Sequence, residues 1–176
     1  MKELDKHIQF IVDWLRQKVR ETHANGLIVG LSGGVDSALV AFLIKRAFPN
    51  DSLAVVMPCH SDSKDVEDAI KTVEACGIAS RIVDISTPHE TLLKTIQPQL
   101  KEKGQERVEI SQLVDGNLRA RLRMATLYAI ANHYNYLVVG TDNAAEWHTG
   151  YFTKYGDGGV DLLPIVHLLK RDVYTW

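Results

Sequence analysis

Cysteine is scarce in this 176-residue chain, with only Cys59 and Cys76 present. No C-x-x-C and no metal-ligand spacing joins them, which excludes a disulfide framework, a zinc ribbon and a thioredoxin-like redox pair. The reading that remains is two reduced thiols in a cytoplasmic protein. An excess of one charge is also missing. Twenty Lys and Arg stand against 22 Asp and Glu, for a net charge of −2. A nucleic-acid partner held by bulk positive charge is therefore disfavoured. No run approaches the roughly 20 apolar residues that would span a bilayer. The first ten residues, MKELDKHIQF, carry charge too early for a secretory signal. Internal repeats and low-complexity tracts are absent as well. What is present is ordinary for a globular domain, 45% hydrophobic and 24% charged residues, enough for one domain with a real core.

Periodicity supplies the elements. Leu4, Ile8, Ile11, Leu15 and Val19 recur at helical spacing, which predicts an amphipathic helix over residues 3–21, ended by Asn25-Gly26. Leu27–Leu31 is a short apolar run, read as a buried strand. A helix is expected from about Ser37 to Ala47, then a strand over Ser52–Met57. Asp62 or Ser63 can cap the next helix, which Cys76-Gly77 closes. A third strand is expected over Arg81–Ile85, a helix opening at Ser86-Thr87-Pro88, and a polar surface connection over QPQLKEKGQERVEISQ. Asp115–Tyr134 reads as helix and Tyr136–Val139 as a fourth strand. The alternation points to an α/β fold, a Rossmann-like parallel sheet with helices on both faces. In such sheets ligands bind beyond the carboxyl ends of the strands. Three stretches fall there: Ser32–Ser37, Met57–Ser61 and Gly140–Glu146. The chain ends in HLLKRDVYTW, a helical pattern with neither cap nor breaker. The expectation is a single domain over 1–176 that lacks its C-terminal segment.

LIVGLSGGVDSALVAF, residues 27–42, has the layout of a phosphate loop, an apolar strand, two glycines and a helix start. A P-loop would carry lysine where this chain has Asp36. Gly33 and Gly34 allow a tight turn that brings backbone N–H groups to an anion, Ser32 and Ser37 add hydroxyls, and the helix N-terminus points at the same spot. Asp36 would repel a phosphate directly but suits Mg²⁺, which phosphates also bind. The plainer reading is a strand–turn–helix in which Asp36 caps the helix. The S-G-G-V-D-S string is more specific than that, and it resembles the PP-loop of the ATP pyrophosphatases. Those enzymes cleave ATP between the α and β phosphates and activate a substrate as an adenylate. They include synthetases for GMP, asparagine, argininosuccinate and NAD, and tRNA-modifying enzymes. The loop alone does not choose among them.

GTDNAAEWHTGYFTKYGDGGVDLLP, residues 140–164, follows the fourth strand. Thr141 lies at the strand end, where a hydroxyl can meet a nucleotide. Asp142 or Asn143 can cap a short helix. Glu146, about one turn on, can bring a second carboxylate toward Asp36. Lys154 is a cation for phosphate or a developing anion. Gly156, Gly158 and Gly159 let the segment bend, and the expectation is a stretch mobile without ligand. This segment resembles the signature of the NAD synthetases, which amidate nicotinic acid adenine dinucleotide. With the PP-loop and the start of the 115–134 helix, the chain is identified as similar to that family.

The resemblance implies an adenine nucleotide alpha hydrolase-like fold and a set of roles. Gly30, Leu31, Ser32, Gly33, Gly34, Val35, Asp36 and Ser37 would bind ATP phosphates, and Thr141 and Lys170 would contact ATP. Asp36 and Glu146 would hold Mg²⁺, and with Lys154 and Lys170 they form the expected catalytic set. Arg121, Lys154 and Asp161 would contact the deamido dinucleotide. The implied reaction is ATP-dependent amidation of the nicotinate carboxylate by ammonia, through an adenylate, releasing AMP and pyrophosphate. Asp157 is a candidate to deprotonate ammonium. With Gly30 so near the start, the expectation is that no glutamine-hydrolysing domain fits before the loop, and the resemblance then implies the ammonia-dependent form, or a partner that supplies ammonia. Family members are homodimers, with no nucleic-acid or membrane partner.

Other residues have plainer readings. At ~100° per residue, Leu118, Leu122, Ala125 and Ala129 form an apolar stripe flanked by Arg121, which places Arg121 at a pocket edge and leaves Arg119 and Arg123 on a solvated or interface face. His60 can stack on adenine or cap a helix. Cys59 beside His60 is discounted as a nucleophile pair, because adjacent residues seldom face each other from a strand end. His148 reads as capped or solvated, and Trp147 and Tyr151 as packing. The rival readings are a PP-loop tRNA thiolase or lysidine-type enzyme, a non-catalytic nucleotide-binding module, and a kinase, which the missing lysine disfavours.

Overall fold

The computed structural model describes residues 3–100 and 109–176. Four parallel strands form one sheet in the order β3-β2-β1-β4. They are β1 (Gly26–Leu31), β2 (Ser52–Val56), β3 (Ala79–Ile82) and β4 (Tyr136–Val139). The helices are α1 (Glu3–Thr22), α2 (Val35–Ala47), α3 (Ser63–Cys76), α4 (Ser86–Ile96), α5 (Gln112–Tyr134), α6 (Ala144–Thr149) and α7 (Lys170–Thr175). The α/β parallel-sheet expectation holds. Among the described residues no helix is long and apolar enough to cross a membrane.

Side chains on β1 alternate between two cores, as a pleated strand requires. Leu27, Val29 and Leu31 join Ile11, Leu15 and Val19 of α1 and Val40 and Ile44 of α2 on one face. Ile28 joins Leu53, Val55 and Val138, covered by Leu127 and Ala131 of α5, on the other. Ile28, Val29, Leu15 and Ile44 are all fully buried. Each such side chain removed from water contributes roughly 1.5–3 kcal/mol, so the central strand is fixed chiefly by burial on both faces.

Element boundaries differ from expectation in instructive places. α2 begins at Val35, not near Ser37, because the glycine turn is completed at Gly33 (φ +86°) and Gly34 already occupies the N-cap. Asp36 therefore lies in the first helical turn and is not the cap. β3 covers Ala79–Ile82 instead of Arg81–Ile85, since its register is set by β2, with Leu53 opposite Ala79 and Val56 opposite Ile82. Asp62 is the N-cap of α3, and Gly77, with φ +64°, closes it. The connection after α4 begins as a 3-10 turn over Gln97–Leu100. Its continuation over 101–108 lies outside the described residues.

The largest correction concerns α5. Its sheet-facing side is Met124, Leu127 and Ala131, with Ala120 and Arg123 nearer the ligand end. Ala125 and Ala129, on the expected stripe, are exposed. Helical periodicity identified an apolar stripe, but an arginine lies on the buried side because its Nε donates to the Met57 carbonyl at 3.1 Å. Arg119 is likewise half-buried, donating to the Cys59 carbonyl at 3.0 Å. Neither is a solvated residue.

Candidate active site

The loops that follow β1, β2 and β4 meet at the carboxyl edge of the sheet around a cavity of about 470 Å³. Val56, Met57, Met124, Leu127 and Val139 supply apolar wall. A smaller pocket of about 180 Å³ adjoins it and is polar, lined by Ser32, Asp36, Ser37, Asp142, Glu146 and Tyr151 among others. Ser32, Thr141 and Asp157 border both. The site is thus an apolar slot opening onto a ring of hydroxyls and carboxylates.

The loop after β1 is tied to itself. Ser37 Oγ donates to the Gly34 carbonyl at 2.9 Å and accepts from the Ser32 amide at 3.3 Å. Ser32 Oγ accepts from the Gly34 amide at 3.2 Å. Gly33 needs its missing side chain twice over. Its φ of +86° disfavours any Cβ, and a Cβ there would stand 2.5 Å from the Asp65 carbonyl oxygen at the start of α3. The first amides of α2 lack intrahelical acceptors and face the pocket end.

Both oxygens of Asp36 are engaged. Asn143 Nδ2 donates to Oδ1 at 3.1 Å, and Lys170 Nζ forms an ion pair with Oδ2. Burial pulls the Lys170 ammonium down, but the bond to Asp36 and the nearby Glu146 carry it above its ordinary value. Asn143, not Asp142, caps α6. Its Oδ1 accepts from the Ala145 and Glu146 amides, and Glu146 Oε2 accepts from the Asn143 amide at 3.0 Å. The capping box thereby fixes Glu146 on the pocket wall with Asp36.

Asp142 was only a cap candidate in the sequence, and its position is more consequential. It is 4% exposed, and its Oδ2 has no hydrogen-bond partner. Burial, then Asp157, Glu146 and Asp36, push its carboxyl up to about 7. The only sequence signal was one more acid in an acid-rich segment, which does not show burial.

Thr141 borders both spaces as expected, and Asp157 does too, its Oδ1 accepting from the Thr153 amide at 2.8 Å. The 150–161 segment, expected to be mobile, is tied to α5 by Thr153 Oγ1 donating to Asn117 at 2.7 Å. Arg121 and Lys154 meet at the outer side, where Arg121 Nε donates to the Lys154 carbonyl at 3.2 Å. Both are exposed, and Lys154 Nζ lies 5.1 Å from the centre of the Tyr155 ring. Neither lines the cavity, whereas Arg123 does. Asp161 is committed to the edge of β4. It accepts from Tyr128 OH and from the Val138 amide, each at 2.8 Å.

His60 adopts φ +51° and pairs with Glu90 at 3.4 Å, while Met57, Pro58 and Ser61 are the residues of that loop on the cavity. Cys59 is buried with Sγ toward the Ile85 carbonyl, so it forms no nucleophile pair with His60. Trp147 stacks on Phe152 at 5.4 Å, which is packing. Tyr151 is 82% exposed at the mouth of the polar pocket, which is not.

A family model described as NAD synthase matches residues 7–176. The chain belongs to the NAD synthase family. A curated relative, the NH(3)-dependent NAD(+) synthetase of Alkaliphilus oremlandii, is 55% identical over 175 residues, 99% of this chain and 70% of the relative. The solved NH3-dependent NAD synthetase of Campylobacter jejuni matches with TM-score 0.88 and 32% identity, over 99% of this chain and 72% of its own. A family likeness of different name, the NMN synthetase of Francisella tularensis, matches with TM-score 0.87 and 37% identity, covering 97% and 67% of the two chains. In family terms the expected PP-loop fold and the enzyme class both stand.

Proposed function

We propose that this chain is the synthetase that amidates nicotinic acid adenine dinucleotide with ammonia, using ATP and forming NAD, AMP and pyrophosphate. The observation that carries the reading is the meeting of Asp36, Asn143, Glu146 and Lys170 at the mouth of the glycine loop, beside a pocket of about 470 Å³. Membership of the NAD synthase family supports it.

The adenine base enters the larger pocket, against the apolar wall that Met57, Met124, Leu127 and Val139 line. The phosphates lie on the Gly30–Ser37 loop, where backbone amides and the α2 N-terminus stabilise negative charge. Thr141 is placed to hydrogen-bond the nucleotide. The carboxylate oxygen of the nicotinate ring attacks the α-phosphorus, and the bond to the bridging oxygen breaks with its electron pair on pyrophosphate. Lys170 leaves Asp36 for the departing phosphates. Such transfers depend on positioning and charge stabilisation. Ammonia then attacks the acyl carbon, the nitrogen of the adduct gives up a proton to solvent, and AMP departs with the C–O bonding pair. Asp157, at the border of both spaces, takes the proton that ammonium must lose. Arg121 and Lys154 hold the dinucleotide on the outer side of the 150–161 segment, and Asp161, its oxygens engaged by Tyr128 and Val138, meets it on release of one of these bonds.

Mg²⁺ fits this site. Among the described residues no cluster of three His, Cys, Asp or Glu could hold a metal without a ligand's help. Two carboxylates completed by phosphate oxygens is the set Mg²⁺ prefers. Asp36 and Glu146 would hold it, and it would neutralise the phosphates. We assign a homodimer, supported by the exposed Leu113 (74%) and Val114 (51%) at the start of α5, with Leu118 and Leu122 partly exposed further along the helix. A cytoplasmic placement accords with the two free thiols.

The test is product identity. The full-length protein is incubated with Mg²⁺-ATP, the deamido dinucleotide and ammonium, with nicotinic acid mononucleotide in a parallel arm. NAD and AMP in equal amounts support the reading. Amidation of the mononucleotide alone would move the assignment toward the NMN synthetase likeness. ADP as product, or bound ATP without turnover, would reject it.

A further inference from the structure

The reaction leaves a partly buried polar chain unused. His89 of α4 is 2% exposed, with its Nε2 2.8 Å from Asp115 Oδ1 but off the line of a straight hydrogen bond. Asp115 Oδ2 is 2.6 Å from Arg119 Nη2. Arg119 Nη1 donates to the Cys59 carbonyl at 3.0 Å. None of the three lines the cavity, yet the chain ends on the loop that does.

That loop is held at five of its backbone groups. Arg123 takes the Met57 carbonyl, the Ile85 amide takes the Pro58 carbonyl at 2.9 Å, and Arg119 takes the Cys59 carbonyl. The Cys59 amide donates to Ser61 Oγ and the His60 amide to Ser86 Oγ, each at 3.2 Å. The product of these ties is His60 in the left-handed region at φ +51°. A non-glycine residue keeps that conformation only where its surroundings over-determine it, and such places cluster at ligand clamps. The polar chain is also costly, since His89 Nδ1 and Arg119 Nε are buried without partners. A fold that needed only to join α4 to α5 would be served better by apolar residues.

We infer that His89, Asp115 and Arg119 are positioning residues for ATP, acting through the Cys59 carbonyl to fix the 57–61 loop as one wall of the slot that receives the adenine base. The inference rests on the reading that the base occupies this slot. Arg119 is suited to the task because one planar fork reaches a carboxylate and a carbonyl together, which a lysine ammonium does not match.

The test is equilibrium binding of a non-hydrolysable ATP analogue to the full-length protein, with NAD formation measured in parallel. Losing one charge-assisted bond at the loop should weaken nucleotide binding about tenfold in Arg119→Met and several-fold in Asp115→Asn. His89→Gln should shift it in the same direction. Arg119→Lys should behave like Arg119→Met, because charge alone does not rebuild the bridge. In all four, kcat at saturating ATP and KM for the dinucleotide should stay within about twofold, and amide exchange at Cys59–Ser61 should quicken. A general structural role would move both substrates and kcat together. Unchanged nucleotide binding in Arg119→Met, or full rescue by lysine, overturns the inference while wild-type NAD formation leaves the function standing. If Arg119→Met fails to fold, Asp115→Asn decides on the same terms. Wild-type protein that neither binds the analogue nor forms NAD overturns both.

Discussion

Replacing Asp142 by Asn should stabilise the protein, and more so in alkali than in acid. The side chain is buried, Oδ2 is unpaired, and three carboxylates surround it. Its carboxyl rises from 3.8 to about 7, for which burial is the first cause. At 1.36 kcal/mol per pK unit, that rise amounts to about 4 kcal/mol. The sign follows from proton counting. Between about pH 4 and pH 7 the unfolded chain has released this proton and the folded chain still holds it. Stability therefore falls as pH rises through that window and is flat above it. Asparagine has the same shape and no proton to lose. The variant should match wild type within about 1 kcal/mol near pH 4 and exceed it by about 2–4 kcal/mol at pH 8. Urea unfolding of both proteins at the two pH values, with chelator present, measures the difference. A variant equal to or weaker than wild type at pH 8, or an offset that does not change with pH, would refute the reasoning.

Three further expectations follow from the site and core. Gly33→Ala should cost about 1–3 kcal/mol in urea unfolding and abolish nucleotide binding, because φ is +86° and the new Cβ meets the Asp65 carbonyl. Gly34→Ala, at φ −82°, should cost less than half as much. Lys170→Met frees Asp36 Oδ2, so titration with Mn²⁺ in the absence of nucleotide should show several-fold tighter binding, while turnover falls by roughly 10²-fold. Ile44→Ala, fully buried between α1 and the sheet, should lower stability by about 2–5 kcal/mol and leave kcat unchanged at a permissive temperature.

Much of this was legible without coordinates. The strand–glycine–helix string around Gly33 announces a phosphate loop because its backbone demands are local. The fourth strand was read at its observed bounds, Tyr136–Val139, because an apolar run after a long helix admits few alternatives. The capping residue of α6 was narrowed to two, and Glu146 was placed by one turn of helix. What escaped depended on partners distant in sequence. Arg119 and Arg123 are charged residues on a helix, and only the carbonyls of Cys59 and Met57, roughly sixty residues away, explain their burial. His89 carried no motif at all. Asp142 was one more acid in an acid-rich segment, and its burial is a tertiary fact. The ion pair of Lys170 with Asp36 spans 134 positions and was reachable only through family resemblance.

The strand order has a consequence for where chemistry is located. From β1 the chain winds outward through β2 to β3 with α2 and α3 on one face, then crosses under the sheet through α5 to set β4 on the other side of β1. The helices that flank this strand pair consequently lie on opposite faces, α2 after β1 and α5 before β4. A crevice must open between the roots of the loops leaving β1 and β4, whatever side chains they bear. It is the topological switch point of the sheet. The glycine loop and the Gly140–Glu146 segment do not create this cleft; they furnish one that the path of the chain had already opened. Changes to the furnishing would alter what is bound and what is done to it. The address would stay the same as long as the strands keep their order.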